Sequence, residues 1–294
     1  MGNVFSIFSF IVFAAESILS PLAQQAPATI SPTKPDVTFA QVSQKTTSFG
    51  DVLGIVSVQV TPVPSPTPIP KTARQKKFVI AALGDSMIDT LGPDLPNLKN
   101  ILTSVYRRTE FTMLNYGVGG TNIDYGIERL TSDYTYLDRH IPALVSQFPD
   151  ILIVESFAYN PYSFDEGALD THWLALAKII DTMKLYCPQT KILLAATIAP
   201  NAVVFGDGGN LRPQDADGKL KKVTTIKKYL ESTIKFAQSQ NVPLANAFYP
   251  SLQEDGNGKL EYINGGDNIH YSDAGREFFS KIIADAIIDN HLLE

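Results

Sequence analysis

Five apolar runs of strand length recur along the chain from residue 77 onwards. They are FVIAALG (78–84), FTMLNYG (111–117), DILIVES (150–156), KILLAATIAP (191–200) and VPLANAF (242–248). Each run is continuous instead of alternating with polar residues, which is typical of strands covered on both faces. Amphipathic stretches of helical character separate and follow these runs, at 97–108, 133–147, 170–187, 221–240 and 273–292.

The alternation of strands and helices predicts the fold class. It indicates an α/β domain, a three-layer α/β/α sandwich with a five-stranded parallel sheet. In sheets of this kind, ligands bind beyond the carboxyl ends of the strands. The residues that follow the predicted strands are therefore the candidates for a functional site.

The chain before residue 77 has a different composition. Residues 4–15 form a 12-residue apolar run, short for a membrane span but of the length of a signal-peptide core. The prolines of TPVPSPTPIP (61–70) hold the backbone extended and prevent core packing. We predict a signal peptide or membrane anchor over 1–26, a Thr/Ser/Pro-rich linker over 27–76 and a folded domain over 77–294.

This organisation indicates an extracytoplasmic protein, either secreted or tethered to the cell envelope through residues 4–22. A net charge of −6 with scattered Lys and Arg gives no basic face, so we expect no nucleic-acid partner. The single cysteine, Cys187, excludes an intrachain disulfide and a cysteine metal cluster. Two Asp-rich strings, at 215–218 and 255–258, lack the distal glutamate of a calcium loop. We therefore predict no metal and no cofactor.

Gly84, Asp85 and Ser86 end the first predicted strand. Glycine allows a sharp turn, and a serine beginning a helical turn there would stand where backbone N–H groups point at a bound anion. Ser86 suits a nucleophile, although a helix N-cap serine would occupy the same position. Asp85 is interpreted as a local supporting residue.

A glycine-rich segment, residues 115–122, follows the second predicted strand. Gly117, Gly119 and Gly120 expose backbone N–H groups, which suits stabilisation of an oxyanion in acyl transfer. A phosphate cradle is the weaker alternative, because the glycine spacing differs from the dinucleotide fingerprint and no P-loop lysine follows.

Asp267 and His270 lie in a loop just before the last predicted helix. A carboxylate three residues before a histidine can orient the imidazole so that its far nitrogen accepts a serine proton. The other histidines, His140, His172 and His291, fall within or at the ends of predicted helices. Only His270 therefore lies in a loop at a candidate site.

In this order and separation, the three segments resemble the SGNH/GDSL hydrolases over residues 77–294. That family has a flavodoxin-like three-layer fold with a five-stranded parallel sheet. By motif position, the resemblance implies that Ser86 is the nucleophile, His270 the general base and then acid, and Asp267 the residue that orients His270. It also implies that the N–H groups of Ser86 and Gly120 form the oxyanion hole.

The family's fourth element is an asparagine in a Gly-x-Asn-Asp string after the third strand. Here the corresponding segment runs from Glu155 to Pro161; it has no glycine, and Pro161 replaces the aspartate. Asn160 is the residue whose amide would supply the third oxyanion donor. The alternative is a turn residue before proline, where Asn is common.

The resemblance implies a serine esterase that forms an acyl-enzyme and releases the acid with water. We expect an O-acyl substrate, an O-acetyl group on an extracellular or envelope glycan, because a stalked domain outside the cytoplasm meets such polymers. Two alternatives stay open. One is an O-acyltransferase with the same site, and the other is a non-catalytic glycan-binding envelope module.

Overall fold

The computed structural model of the protein describes residue 74 and residues 76–163, 167–209 and 214–294. The predicted leader, and nearly all of the predicted linker, lie outside the described residues, so their boundaries stay predictions. Within the described part of the chain, no helix is both long enough and apolar enough to cross a membrane.

The predicted central sheet is confirmed. The strands of the described residues are β1 Lys77–Gly84, β2 Glu110–Gly117, β3 Tyr134–Tyr136, β4 Arg139–Ile141, β5 Ile151–Glu155, β6 Lys191–Ala196 and β7 Leu244–Asn246. Five of them form one sheet in the order β2-β1-β5-β6-β7, in which all neighbours run parallel. β3 and β4 form a separate antiparallel hairpin.

Helices cover both faces of this sheet. The α-helices of the described residues are α1 Ser86–Asp89, α2 Pro96–Val105, α3 Ile123–Thr131, α4 Ala168–Tyr186, α5 Ala216–Gln240 and α6 Asp273–Asp289. Alternate strand residues point to opposite faces: in β5, Ile151 and Ile153 join the core under α2 and α6, whereas Leu152 and Val154 join the core under α3 and α4. The three-layer α/β/α sandwich is therefore confirmed.

The helix predicted at 133–147 is wrong. The helix of this region is α3, which ends at Thr131, and the predicted stretch instead holds the β3–β4 hairpin and one turn of 3-10 helix. Leu137 and Asp138 have φ angles of 49° and 59°, the left-handed backbone of a tight hairpin turn. Pro142 lacks the N–H that a helix interior needs. His140 consequently lies in β4 and not in a helix.

Gly117 at the end of β2 allows a close approach between the sheet and α1. A Cβ atom at this position would overlap the backbone nitrogen of Asp89. We expect Gly117→Ala to lower the free energy of unfolding by about 3 kcal/mol, because a backbone segment must move to make room. Urea unfolding of the variant measures this loss.

Gly265→Ala is the matched control for that measurement. An added Cβ at Gly265 meets no atom within 4 Å, so its effect should stay within about 1 kcal/mol in either direction. Equal stability of the two variants would contradict the assigned close approach.

Candidate active site

The carboxyl ends of the central strands open into one cavity of about 800 Å³. Ser86 follows β1, Gly120 follows β2 and Asn160 follows β5, and all three line this cavity. His270 reaches it from the loop before α6. The structure thus brings together four of the predicted site residues, which are far apart in the sequence.

Asp267, the fifth predicted site residue, contacts His270 directly. Its Oδ2 atom lies 2.8 Å from His270 Nδ1. Its Oδ1 atom accepts the backbone N–H groups of Ile269 at 2.9 Å and His270 at 3.0 Å. Burial alone would raise the pKa of the Asp267 carboxyl, but these hydrogen bonds hold the pKa below its usual value. The ionised carboxylate therefore fixes the ring, with Nδ1–H as donor and Nε2 as acceptor.

Ser86 is the first residue of α1, and Asp85 is its N-cap. Asp85 Oδ1 accepts the N–H of Met87 at 2.8 Å, so the interpretation of Ser86 as a capping serine is wrong. The Ser86 hydroxyl forms no hydrogen bond with any described residue and faces the cavity that also contains His270. Catalytic serine–histidine bonds are often long in unliganded enzymes and tighten with substrate.

The glycine-rich loop after β2 is held by Tyr136, a residue that the sequence analysis missed. The Tyr136 hydroxyl accepts the N–H of Gly119 at 3.2 Å and donates to Asp89 at 2.8 Å. Gly120 has a φ of 72°, and its N–H has no partner among the described residues. Of these two glycines, Gly120 is therefore the one whose N–H is available as a donor.

Arg129 joins the ends of β1 and β2 beneath the cavity. Its side chain is buried, with the residue 1% exposed, and the guanidinium donates to the carbonyls of Tyr116 at 2.7 Å and Gly84 at 3.1 Å. Burial lowers the pKa of this guanidinium, but an arginine stays charged at neutral pH. Its position within α3 carries no signal in the sequence.

The segment after β5 presents Asn160 without the family's glycine. Phe157 takes the left-handed conformation, with φ at 51°, and its carbonyl accepts the N–H of Asn160 at 3.2 Å. A non-glycine residue in this region costs about 1–3 kcal/mol and persists only where its surroundings hold it; the Phe157 ring is buried against Gly126. Asn160 is thus a turn residue and also a cavity residue.

Two carboxyl groups, those of Asp85 and Glu155, are fully buried behind Ser86 and Asn160. Glu155 accepts the hydroxyl of Ser156 at 2.6 Å. Burial raises the pKa of both carboxyls, and the charge of Asp85 raises that of Glu155 further. Burial therefore disfavours two negative charges side by side at this position.

The rest of the cavity wall is mostly aromatic and aliphatic. Tyr125, Tyr159, Phe205 and Ile269 line it, and Lys222 adds a positive charge. In the part of the chain that the structure describes, no group of His, Cys, Asp or Glu is placed to hold a metal ion. The arrangement can bind a small, largely uncharged group beside Ser86.

Comparisons with known proteins bear on the fold. No protein-family model matches the sequence, and no curated protein matches it. Among solved structures, a GDSL-like lipase from Bacteroides thetaiotaomicron is 14% identical, with 73% of this chain and 89% of that chain covered and a TM-score of 0.52. A lipase/acylhydrolase from Enterococcus faecalis is 16% identical, with 72% of this chain and 96% of that chain covered and a TM-score of 0.51. The chain therefore has the fold of these two proteins.

Proposed function

We propose that the protein is a serine esterase of the SGNH/GDSL type, which hydrolyses O-acyl esters through an acyl-enzyme. The observation that carries the proposal is the hydrogen bond from His270 to Asp267 at 2.8 Å, with His270 and Ser86 on the wall of one cavity. A nucleophile, a base and a group that orients the base are the parts that acyl transfer requires.

Acylation begins when Ser86 Oγ attacks the ester carbonyl carbon and His270 Nε2 accepts the serine proton. Negative charge develops on the carbonyl oxygen. The N–H groups of Ser86 and Gly120 and the amide of Asn160 stabilise it as hydrogen-bond donors. The tetrahedral intermediate then breaks its bond to the alcohol oxygen, which takes the proton from His270 and leaves.

Deacylation repeats these steps with water. His270 accepts a proton from the attacking water, and the oxygen bonds to the acyl carbon. Collapse of the second intermediate returns the proton to Ser86 Oγ and releases the carboxylic acid. Asp267 stays ionised throughout and stabilises the imidazolium.

The substrate we propose is an O-acetyl group on an extracellular or envelope glycan. A cavity of about 800 Å³ accommodates one ester and part of a sugar. Tyr125 and Tyr159 line its wall, and aromatic side chains suit contact with a sugar ring. The predicted leader and proline-rich linker support a position outside the cytoplasm, where such glycans occur.

Hydrolysis of 4-nitrophenyl acetate by the full-length protein tests the proposal, together with labelling by a fluorophosphonate probe and peptide mapping. The proposal requires turnover of the ester and a label on Ser86. A protein without label or turnover would be a binding module. Acyl-sugar formation in preference to free acetate, on addition of an oligosaccharide, would instead identify an acyltransferase.

The rate of hydrolysis should fall as the pH is lowered, because a protonated imidazole cannot accept the serine proton. Histidines generally change charge between about pH 5 and 8, and the depressed pKa of Asp267 keeps that carboxylate ionised over this range. The loss of kcat/KM should follow a single protonation, measured with 4-nitrophenyl acetate from pH 5 to 9. A flat profile would contradict His270 as the base.

Unfolding must be separated from this titration. The folded-state pKa of Asp267 is depressed, so its hydrogen bonds stabilise the fold above the unfolded pKa, roughly 3.9, and the stabilisation is lost as pH falls through the folded pKa. The Asp267 loop should therefore stay in place where activity declines. Buried His172 acts differently, because burial lowers its pKa to about 4, and its contribution to stability is lost as pH falls below the unfolded pKa, roughly 6.5. Only pH values at which the protein is still folded belong to the activity profile. Circular dichroism at each pH checks this.

A further inference from the structure

Both carboxyl oxygens of Asp85 accept hydrogen bonds from residues close to the cavity. Oδ1 accepts the N–H of Met87 at 2.8 Å, and Oδ2 accepts the Asn160 amide nitrogen Nδ2 at 2.9 Å. Asp85 is fully buried, so no water competes for these bonds. The residue thus links the start of α1 to the altered segment that follows β5.

The charge of Asp85 decides which end of the Asn160 amide faces it. An ionised carboxylate can only accept hydrogen bonds, whereas an amide has one donating and one accepting end. Both Asp85 oxygens accept N–H groups, from Met87 and from Asn160 Nδ2, which is the bonding pattern of an ionised carboxylate. The buried guanidinium of Arg129 supplies a positive charge that favours this state. Only Nδ2 of Asn160 can therefore point toward Asp85.

The orientation of the Asn160 amide toward Asp85 also decides which of its atoms faces the cavity. Nδ2 carries two hydrogens, and Asp85 takes one of them. Asn160 lines the cavity beside Ser86, so the second hydrogen is available for an oxyanion there. An amide rotated by 180° would instead exchange the positions of nitrogen and oxygen, and its oxygen would repel the developing negative charge.

We propose that Asp85 is a positioning residue, which holds the Asn160 amide in the orientation that stabilises the oxyanion. The proposal rests on the esterase function proposed above. It assigns to Asp85 a role beyond capping α1, and it explains how Asn160 functions in a segment without the family's glycine and aspartate. Asp85 itself has no contact with substrate in this role.

The test is the Asp85→Asn variant of the full-length protein, assayed with 4-nitrophenyl acetate. Asparagine keeps the size of the side chain and can still cap α1 with its oxygen. Its nitrogen would face Nδ2 of Asn160, and two donors cannot pair, so the Asn160 amide must turn. We expect kcat to fall by about 10²-fold, the effect of losing one oxyanion donor, with little change in KM.

A double-mutant cycle with Asn160→Ala separates positioning from a general structural role. If Asp85 acts through Asn160, the loss from Asp85→Asn should nearly disappear when Asn160 is already alanine. Additive losses would overturn the proposal, as would full activity of Asp85→Asn in an active enzyme. An inactive wild-type protein would instead reject the esterase function itself.

Asp215→Asn is the matched control, since it makes the same chemical change at another helix N-cap, outside the cavity wall. Asp215 Oδ1 accepts the N–H of Gly218 at 2.8 Å, and an asparagine oxygen can do the same, so kcat should stay within about threefold of the wild-type value. The exchange variant Asp85→Asn/Asn160→Asp restores the hydrogen bond without the oxyanion donor. Its thermal stability should recover while kcat stays low, and recovery of kcat would overturn the proposal.

Discussion

Replacement of Ser86 by alanine is expected to lower kcat for ester hydrolysis by at least about 10⁴-fold. The variant lacks the only atom proposed to bond to the acyl carbon, so no acyl-enzyme can form. The oxyanion donors and the cavity remain, and KM should therefore change much less than kcat. Steady-state kinetics with 4-nitrophenyl acetate measures both constants, and the fluorophosphonate label should be lost.

Ser104→Ala is the control for this substitution. Ser104 is an exposed serine of α2 whose hydroxyl donates to the carbonyl of Ile101 at 2.7 Å, and it does not line the cavity. Its variant should keep the wild-type rate and the label on Ser86. Equal rates for Ser86→Ala and the wild type would remove Ser86 from the mechanism.

Replacement of Asp267 by asparagine is expected to lower kcat by about 10⁴-fold. The new Oδ1 can still accept the N–H groups of Ile269 and His270, so the loop should keep its shape. Nδ2 would then donate to His270 Nδ1, which places the ring proton on Nε2. In that tautomer the nitrogen nearest to Ser86 cannot accept the serine proton.

Asp273→Asn controls for a charge change near the same loop. Asp273 is exposed at the start of α6 and pairs with Arg276, away from the cavity wall. This variant should keep nearly full activity. If Asp267→Asn kept more than a tenth of the wild-type kcat, the proposal that Asp267 sets the tautomer of His270 would be contradicted.

The central sheet could be predicted because burial on both faces leaves an unbroken apolar run in the sequence. Ile151 to Val154 show this directly, since alternate residues enter different cores. The cavity could be located because the carboxyl ends of parallel strands meet at one edge. Polar residues within a few positions of the ends of these runs, such as Ser86 and Asn160, were consequently candidates for the site.

The region after α3 could not be predicted in the same way. Apolar residues at 134, 137, 141 and 144 have the spacing of a helix face, yet Tyr134 pairs with Ile141 across the hairpin. Tertiary contacts overrode this local pattern. The role of Tyr136 was hidden by that error, and the role of Arg129 depends on carbonyls of two strands that come together only in the folded domain.

The arrangement of Ser86 after the first strand and His270 before the last helix has a consequence for biosynthesis. A chain emerging from the ribosome contains Ser86 early, but Asp267 and His270 follow only after most of the domain has been made. The His270 loop is then fixed by α6, where Gly275 lies against the carbonyl of Tyr262. The domain should therefore gain activity only at the end of its synthesis, and proteolytic loss of α6 should inactivate it although Ser86 remains.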